Sequence, residues 1–387
     1  MRYSKRKFGL FITPAYWSSA GIEKYGRALL KGIYRSELAD RVILLGARDS
    51  PPQGWVESLG CGRPAVARSN LPRRLLQYTW AFLGKPTADA MAGEDLAFAH
   101  NPFERWIPTK NSPSIMTVHD LYVEKFPQRL TVHQKLVLER QLRSVAMRRA
   151  DLLIADSHNT KRDLIEIARV LPERITVIHL GVDHSVFRRV DDADRARQVL
   201  NMYGVGGPFI LYLGSLYSRK IGKLLEAYKI LCSRWESPPK LVLIGGREML
   251  GAGYKSLSER LALLNLGGNV IRLGVVPEEA LPVFMSAALV FVYVSLYEGF
   301  GMGVLEAMAC GAPVVVSSTS SLPEVVGDAG LLVDPTNEQE IASAMQRLLD
   351  DSSLREELRR RSMARAALFS WERTTQQTLD VYRRMLG

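Results

Sequence analysis

The stretch Glu298-Gly-Phe-Gly-Met-Gly-Val-Leu-Glu306, continuing Ala-Met-Ala-Cys-Gly-Ala-Pro313, decides how this chain is read. In front of it, residues 289–294 form an apolar run with the length and composition of a buried strand. Behind it, residues 304–310 carry a helical pattern closed by Gly311 and Pro313, and residues 314–316 read as the next strand. The unit is strand, glycine-rich turn, helix, strand. The first N–H groups of such a helix have no partner within it, and together with the helix dipole they make a site for an anion. Gly299, Gly301 and Gly303 let that anion come close to the backbone.

The two acids stand eight positions apart, one on each flank of this anion site. A carboxylate repels phosphate but accepts hydrogen bonds well from paired sugar hydroxyls. A ligand with phosphates in the middle and a sugar at each end meets both demands, and that ligand is a nucleoside-diphosphate-sugar. An ordinary strand-to-helix turn with two incidental acids is the plainer reading of the spacing alone.

The whole run, Glu-Gly-Phe-Gly-x-x-x-Leu-Glu-Ala-Met-Ala-Cys-Gly-x-Pro-Val-Val, resembles the signature of the retaining family-4 glycosyltransferases of GT-B fold. The resemblance is dense from residue 209 to 382 and thin before that. It implies an α/β protein of two Rossmann-like, doubly wound domains facing each other across a cleft. An acceptor-binding domain is expected over 1–182 and a nucleotide-sugar domain over 183–369, with a C-terminal helix over 370–387 crossing back to the first. One departure is visible: the family usually has proline where Gly303 stands, and proline there would pre-set φ.

Composition agrees with a globular protein. The chain has 387 residues, enough for two α/β domains, with 47% hydrophobic and 24% charged residues. No apolar run reaches the ~18 residues that span a bilayer. The basic start followed by residues 8–12 reads as a first strand rather than a signal peptide. Cys61, Cys232 and Cys310 are far apart, have no metal-ligand spacing and suggest a reducing compartment. Charge is uneven. Residues 1–180 hold 28 Lys and Arg against 17 Asp and Glu, a net of +11 that is the charge of the whole chain. Such an imbalance points to an extended anionic partner, lipid surface or nucleic acid.

A second strand–turn–helix unit, residues 208–234, carries Arg219 and Lys220 at the helix start. That is a pairing suited to phosphate, with a bidentate fork beside a compact charge. By the resemblance this pair holds the donor diphosphate. Ser215 stands after Gly214 where many relatives have arginine. Gly274-Val-Val-Pro277 sits where the family holds the nucleobase, largely through backbone, which brings in Val276. The donor set implied is Gly21, Gly214, Arg219, Lys220, Gly245, Val276, Glu298, Phe300, Gly301, Met302, Leu305 and Glu306. Gly21 maps onto the family's first glycine loop, where Ala20 replaces the usual other glycine. Glu298 is expected on the donated sugar and Glu306 on the ribose.

In the first half, two short apolar runs read as strands ending in histidine: residues 96–102 with His100 and 114–120 with His119-Asp120. Ligands of parallel sheets sit at the carboxyl ends of strands, so both histidines are candidates, against the reading of each as a buried structural side chain. The family often has His-Asp at 119–120, with the histidine beside the transferred sugar. His119 and Glu298 are thus the catalytic pair implied, with Trp17, His100 and Asp120 on the acceptor side. Residues 131–150 make a basic helical pattern with Lys135, Arg140, Arg143, Arg148 and Arg149. Residues 68–85 interleave arginines with leucines and aromatics. That suits a helix on anionic lipid, or equally a helix packed on the core with a solvated basic face.

Asp192 and Asp194 lie in a polar link and read as a solvated helix start rather than a metal site. No metal and no cofactor is expected, since two cations and two helix N-termini already meet the diphosphate. The reading is transfer of a hexose, mannose from GDP-mannose or a glucose-type sugar from a UDP-sugar. The expected acceptor is lipid-linked or a glycan in envelope polysaccharide synthesis, with the enzyme held peripherally at the cytoplasmic membrane face and binding no nucleic acid. A nucleotide-sugar epimerase of the same fold and a nucleic-acid-binding protein are the alternatives.

Overall fold

In a computed structural model the described residues are 6–12, 20–50, 57, 59, 60, 62, 64–127, 137–216, 218–246 and 257–387, with side chains left out at 20, 137–142 and 218–220. The chain divides into two compact units. One is Met1–Gly181 together with Trp371–Gly387; the other is Val182–Ser370.

The first unit is built on a seven-stranded parallel sheet: β1 Phe8–Ile12, β2 Val42–Gly46, β3 Ala65–Arg68, β4 Ala99–Asn101, β5 Ser114–Val118, β6 Leu152–Ala155 and β7 Ile175–Val177. Their order is β3-β2-β1-β4-β5-β6-β7. β1, β2, β4 and β5 are buried throughout, as strands covered on both faces must be, and this is why they read as unbroken apolar runs. β3 is short, half exposed and at the edge, so no such run announces it.

The C-terminal helix Trp371–Leu386 belongs to this unit. Its Tyr382 packs on Phe8 and Phe98 with ring centroids 5.1 and 5.0 Å away. It also lies so close to helix Ala20–Tyr34 that a Cβ on Gly32 would fall 1.9 Å from Thr375 Cγ2. Glycine there is what permits the approach.

The second unit holds β8 Phe209–Leu213, β9 Lys240–Ile244, β10 Val270–Gly274, β11 Val290–Tyr293, β12 Val314–Ser317 and β13 Leu331–Val333, all parallel. The order β10-β9-β8-β11-β12-β13 is the doubly wound order of nucleotide-binding sheets, and its direction reverses between β8 and β11. In the first unit the reversal falls between β1 and β4. At such a point the loops leaving two adjacent strands diverge to opposite faces and open a crevice at the carboxyl ends, where ligands of these sheets bind.

Candidate functional site

In the second unit the two helices that leave the reversal point are Ser218–Cys232 after β8 and Met302–Ala309 after β11. Arg219 and Lys220 stand in the first turn of the former; their side chains lie outside the described residues. The latter helix is entered through Gly301 at φ 102, where a Cβ would lie 2.5 Å from Leu322 Cδ2. The left-handed backbone strains any other residue there, and the Leu322 side chain would have to shift to admit a Cβ.

Val304 and Leu305 donate their amides to the Gly301 carbonyl, so the helix turns over Gly301 and its earlier N–H groups face outward. Leu305 and Phe300 are fully or almost fully buried, and Phe300 packs edge-on against Phe369 at 6.0 Å. Their side chains belong to the core, and Leu305 has spent its amide as well. Met302 and Gly303 are the residues of this turn that are half exposed.

Glu298 is held in three ways. Its carboxylate accepts from Tyr293 Oη at 3.1 Å, its amide donates to Ser320 Oγ at 3.0 Å, and its carbonyl accepts from Ser320 and Ser321 Oγ. Ser321 Oγ, 2.9 Å from the Phe300 carbonyl, shares its proton between the two. Tyr293 is itself stacked on Tyr212, with ring centroids 5.8 Å apart. The loop that carries the first acid is thus pinned from the end of β12, a contribution that sequence reading missed. The serines of residues 317–321, straight after a strand, were its signal. Glu306 lies one turn into the helix and is buried, 7% exposed.

Gly245 has a structural reason of its own. A Cβ there would fall 1.9 Å from the Gly214 carbonyl, because the ends of β8 and β9 touch through their backbones. In the loop after β10, Val276 is buried and Val275 points out.

The first unit places His119 just beyond β5, and a buried polar cluster surrounds it. Its Nδ1 lies 2.7 Å from Asp156 Oδ2 and its Nε2 lies 3.0 Å from the Pro102 carbonyl. The His119 and Asp120 amides both donate to Glu104 Oε1, at 2.8 and 3.1 Å. Arg143 bridges Glu104 and Glu124, each at 3.1 Å. Burial alone would lower the His119 pKa, but Asp156, Glu104 and the Pro102 carbonyl outweigh it and hold the imidazole at about 9. Burial likewise opposes charge on Glu104, yet Arg143, His119 and the two amides keep it below the usual carboxylate value.

His119 is therefore an imidazolium whose two N–H groups already donate within the unit. Both ring nitrogens are thus engaged by groups of the same unit. Glu104, at φ 54 in the left-handed region, and Asp156 were not singled out from the sequence. Asp156 follows β6 as His119 follows β5, and that register was the available signal.

One sequence expectation is corrected here. His100 is not at the end of a strand but inside β4, with no exposure. Its Nε2 meets Thr117 Oγ1 at 2.9 Å and its Nδ1 meets Tyr382 Oη at 2.5 Å. Burial and the neighbouring His119 push its pKa down to about 3, so it is neutral and ties the sheet to the C-terminal helix. Arg143, from the basic helical pattern, is a buried ion-pair residue, 8% exposed. Asp120, half exposed, accepts the Tyr122 amide on its Oδ1 at 2.9 Å.

Gly21 opens helix Ala20–Tyr34, while Trp17 and the rest of its loop, with Lys135, lie outside the described residues. Asp192 caps helix Ala193–Met202 through the Arg195 amide at 2.9 Å, and Asp194 pairs with Arg197.

Residues 20–186 match the family model for Glycosyltransferase Family 4, and residues 197–365 that for Glycosyl transferases group 1. An O-antigen chain mannosyltransferase B of Escherichia coli is 34% identical over 280 residues, 72% of each chain. The chain belongs to this family of glycosyltransferases. Another relative, the D-inositol 3-phosphate glycosyltransferase of a Nocardioides strain, is 33% identical over 61% of this chain. The aligned part spans about half of that relative, 54%. Among solved structures, HepE of Anabaena in complex with UDP-glucose superposes with a TM-score of 0.72, covering 98% of this chain and all of its own, at 19% identity. The fold of this glycosyltransferase is thus GT-B, two Rossmann-like units of parallel sheet.

Proposed function

We propose that this glycosyltransferase moves a hexose from a nucleoside-diphosphate-sugar to a lipid-linked or glycan acceptor in cell-envelope polysaccharide synthesis, with retention at the anomeric carbon. GDP-mannose is the first donor to test and a UDP-linked glucose-type sugar the second. The observation that carries this reading is the pinned loop 294–301. It presents the Glu298 carboxylate at the carboxyl end of β11, beside the outward amides of helix Met302–Ala309 and next to the strand whose following helix begins with Arg219 and Lys220. The O-antigen mannosyltransferase relative supports mannose and an envelope glycan; the UDP-glucose complex of the structural neighbour supports a nucleotide-sugar.

In this account Arg219, Lys220 and the two helix N-termini stabilise charge as it develops on the departing diphosphate. Glu298 holds hydroxyls of the donated sugar, and Glu306 those of the ribose. The reaction passes through an oxocarbenium-like state, as glycoside cleavage does. The His119 imidazolium, fixed by Asp156 and Pro102, positions the reacting end of the donor by charge. The first unit takes the acceptor. Its excess of basic residues suits an acceptor at an anionic membrane face, to which the protein attaches peripherally. Among the described residues no helix is long and apolar enough to cross a membrane.

The test is a thermal-shift panel of nucleotide-sugars. At a hundredfold excess over Kd, binding should add about 2.7 kcal/mol of stability, with one donor far ahead of the rest and its sugar recovered unaltered when no acceptor is present. Stabilisation by none of them would remove the donor reading. Conversion of the bound sugar to an epimer without acceptor would replace it.

A further inference from the structure

Helix Arg73–Leu83 has two apolar faces where a surface helix needs one. Leu76 and Trp80 point inward, at 0 and 1% exposure, against Phe11, Ile43 and Leu45. Trp80 meets Phe11 edge-on at 5.0 Å and donates its indole N–H to the Pro86 carbonyl at 2.9 Å. Leu75, Tyr78 and Phe82, spaced i, i+3, i+7, form the opposite stripe. They are 48, 39 and 61% exposed, and Leu83 beside them is 70% exposed. Single exposed leucines are ordinary, but four large apolar residues on a helix of eleven residues form a patch of the kind that marks an interaction site.

The rim of the patch is cationic. Arg74 is exposed and one turn from Tyr78, and exposed Lys85 follows the Gly84 cap. Exposed Arg149 reaches the last turn of the helix and donates to the Ala81 carbonyl at 2.9 Å. The helix therefore does not show solvent the basic face that its composition suggested. It shows solvent an apolar face with cations along its edge.

We infer that helix Arg73–Leu83 lies in the plane of an anionic bilayer as an anchor, with Leu75, Tyr78, Phe82 and Leu83 entering the boundary with the acyl chains and Arg74, Lys85 and Arg149 on the headgroups. This rests on the reading of a membrane-borne acceptor and adds to it a defined segment and a hydrophobic component. An apolar stripe edged by cations is the composition of interfacial helices, and headgroup charge attracts each such cation. A second copy of this chain fits less well. A two-fold contact through the same patch would set the cationic rims against one another, whereas anionic lipid neutralises them.

The test is sedimentation of the full chain with vesicles of phosphatidylcholine alone or mixed with phosphatidylglycerol, at low and high salt. The wild type should bind the anionic vesicles and keep part of that binding at high salt. The variant L75S/F82S should bind about tenfold more weakly at either salt, since apolar burial is not screened. The variant R74Q/K85Q should weaken binding only at low salt. Leu83→Ser, beside the cap and outside the core, serves if the double variant melts early. Equal binding by wild type and L75S/F82S would overturn the anchor and leave charge-driven attachment standing. No binding by the wild type would remove membrane attachment and the anchor together. A wild-type dimer in light scattering that L75S/F82S converts to monomer, with vesicle binding unchanged, would assign the patch to a second copy and overturn the inference.

Discussion

His119 Nδ1 and Asp156 Oδ2 stand 2.7 Å apart in the first unit, with the histidine side chain 11% exposed and the aspartate 2%. The two residues follow adjacent parallel strands, β5 and β6, so the sheet itself sets their separation. The Pro102 carbonyl on the other ring nitrogen closes the arrangement: with an acceptor at each end, the imidazole is held protonated.

The pH dependence of stability follows from that. His119 holds its proton more tightly folded, to about 9, than unfolded, at about 6.5. Its contribution is fully present below about 6.5 and is lost as pH climbs through about 9, a fall on the order of 3 kcal/mol. Urea unfolding at pH 6, 7.5 and 9.5 measures it. The wild type should lose stability over this window, and Asp156→Asn, which removes the counter-charge, should lose markedly less. A wild-type stability that does not fall would mean that His119 is neutral.

Two glycines at the start of helix Met302–Ala309 should behave in opposite ways. Gly301→Ala meets both φ 102 and Leu322 and should cost about 1–3 kcal/mol. A Cβ on Gly303 would have nothing within 4 Å of it. Pro282 and Pro323 already occupy the first turns of their own helices. Gly303→Pro should therefore be tolerated and raise stability by up to about 1 kcal/mol through the unfolded state. Thermal denaturation decides, and a Gly303→Pro variant less stable than wild type would contradict the open geometry.

The two acids should separate kinetically. Glu298→Gln should lower kcat while leaving nucleoside-diphosphate affinity near wild type. Tyr293→Phe, which removes the hydroxyl that holds the carboxylate, should lower kcat in the same direction and by less. Glu306→Ala should weaken nucleotide binding itself. Calorimetry with UDP and GDP beside turnover measurements tests the division, and equal losses of nucleotide affinity in Glu298→Gln and Glu306→Ala would exchange or merge the roles.

On the proposed function, in which Arg219, Lys220 and two helix N-termini supply the positive charge for the diphosphate, transfer should persist in excess EDTA. Lys220→Ala should then weaken nucleoside-diphosphate binding by about 1.5–3 kcal/mol, the worth of a charge-assisted contact. Activity lost to chelator and restored by Mg²⁺ would contradict this.

The strand, glycine-rich turn and helix around Glu298 were legible because their signals are local: an apolar run, a glycine where φ turns positive, and a helical period that begins at once. The pin on Glu298 was not, because Ser320 and Ser321 act from twenty-two and twenty-three residues away, a distance only the sheet order closes. His100 and His119 looked alike in sequence and differ in structure by strand register, one inside β4 and the other past the end of β5. Residues 131–150 showed a basic helical pattern, but nothing in it singled out Arg143 as the arginine that pairs with Glu104 and Glu124. In helix Arg73–Leu83 the interleaved arginines and aromatics were visible. Which apolar residues would be covered depended on where Trp80 found room beneath the helix.

The most direct measurement is acceptor-dependent transfer. Purified chain is incubated with hexose-labelled GDP-mannose or UDP-glucose and a polyprenyl-diphosphate-linked sugar, and the lipid fraction is analysed by mass spectrometry with anomeric assignment by NMR. The account predicts one hexose added to the acceptor, in the α configuration of the donor, with equimolar release of nucleoside diphosphate. It also predicts that Glu298→Gln reduces this by at least about a hundredfold, the scale of a lost transition-state contact. Release of nucleoside diphosphate with no hexose on any lipid-linked or glycan acceptor, or full transfer by Glu298→Gln, would contradict it.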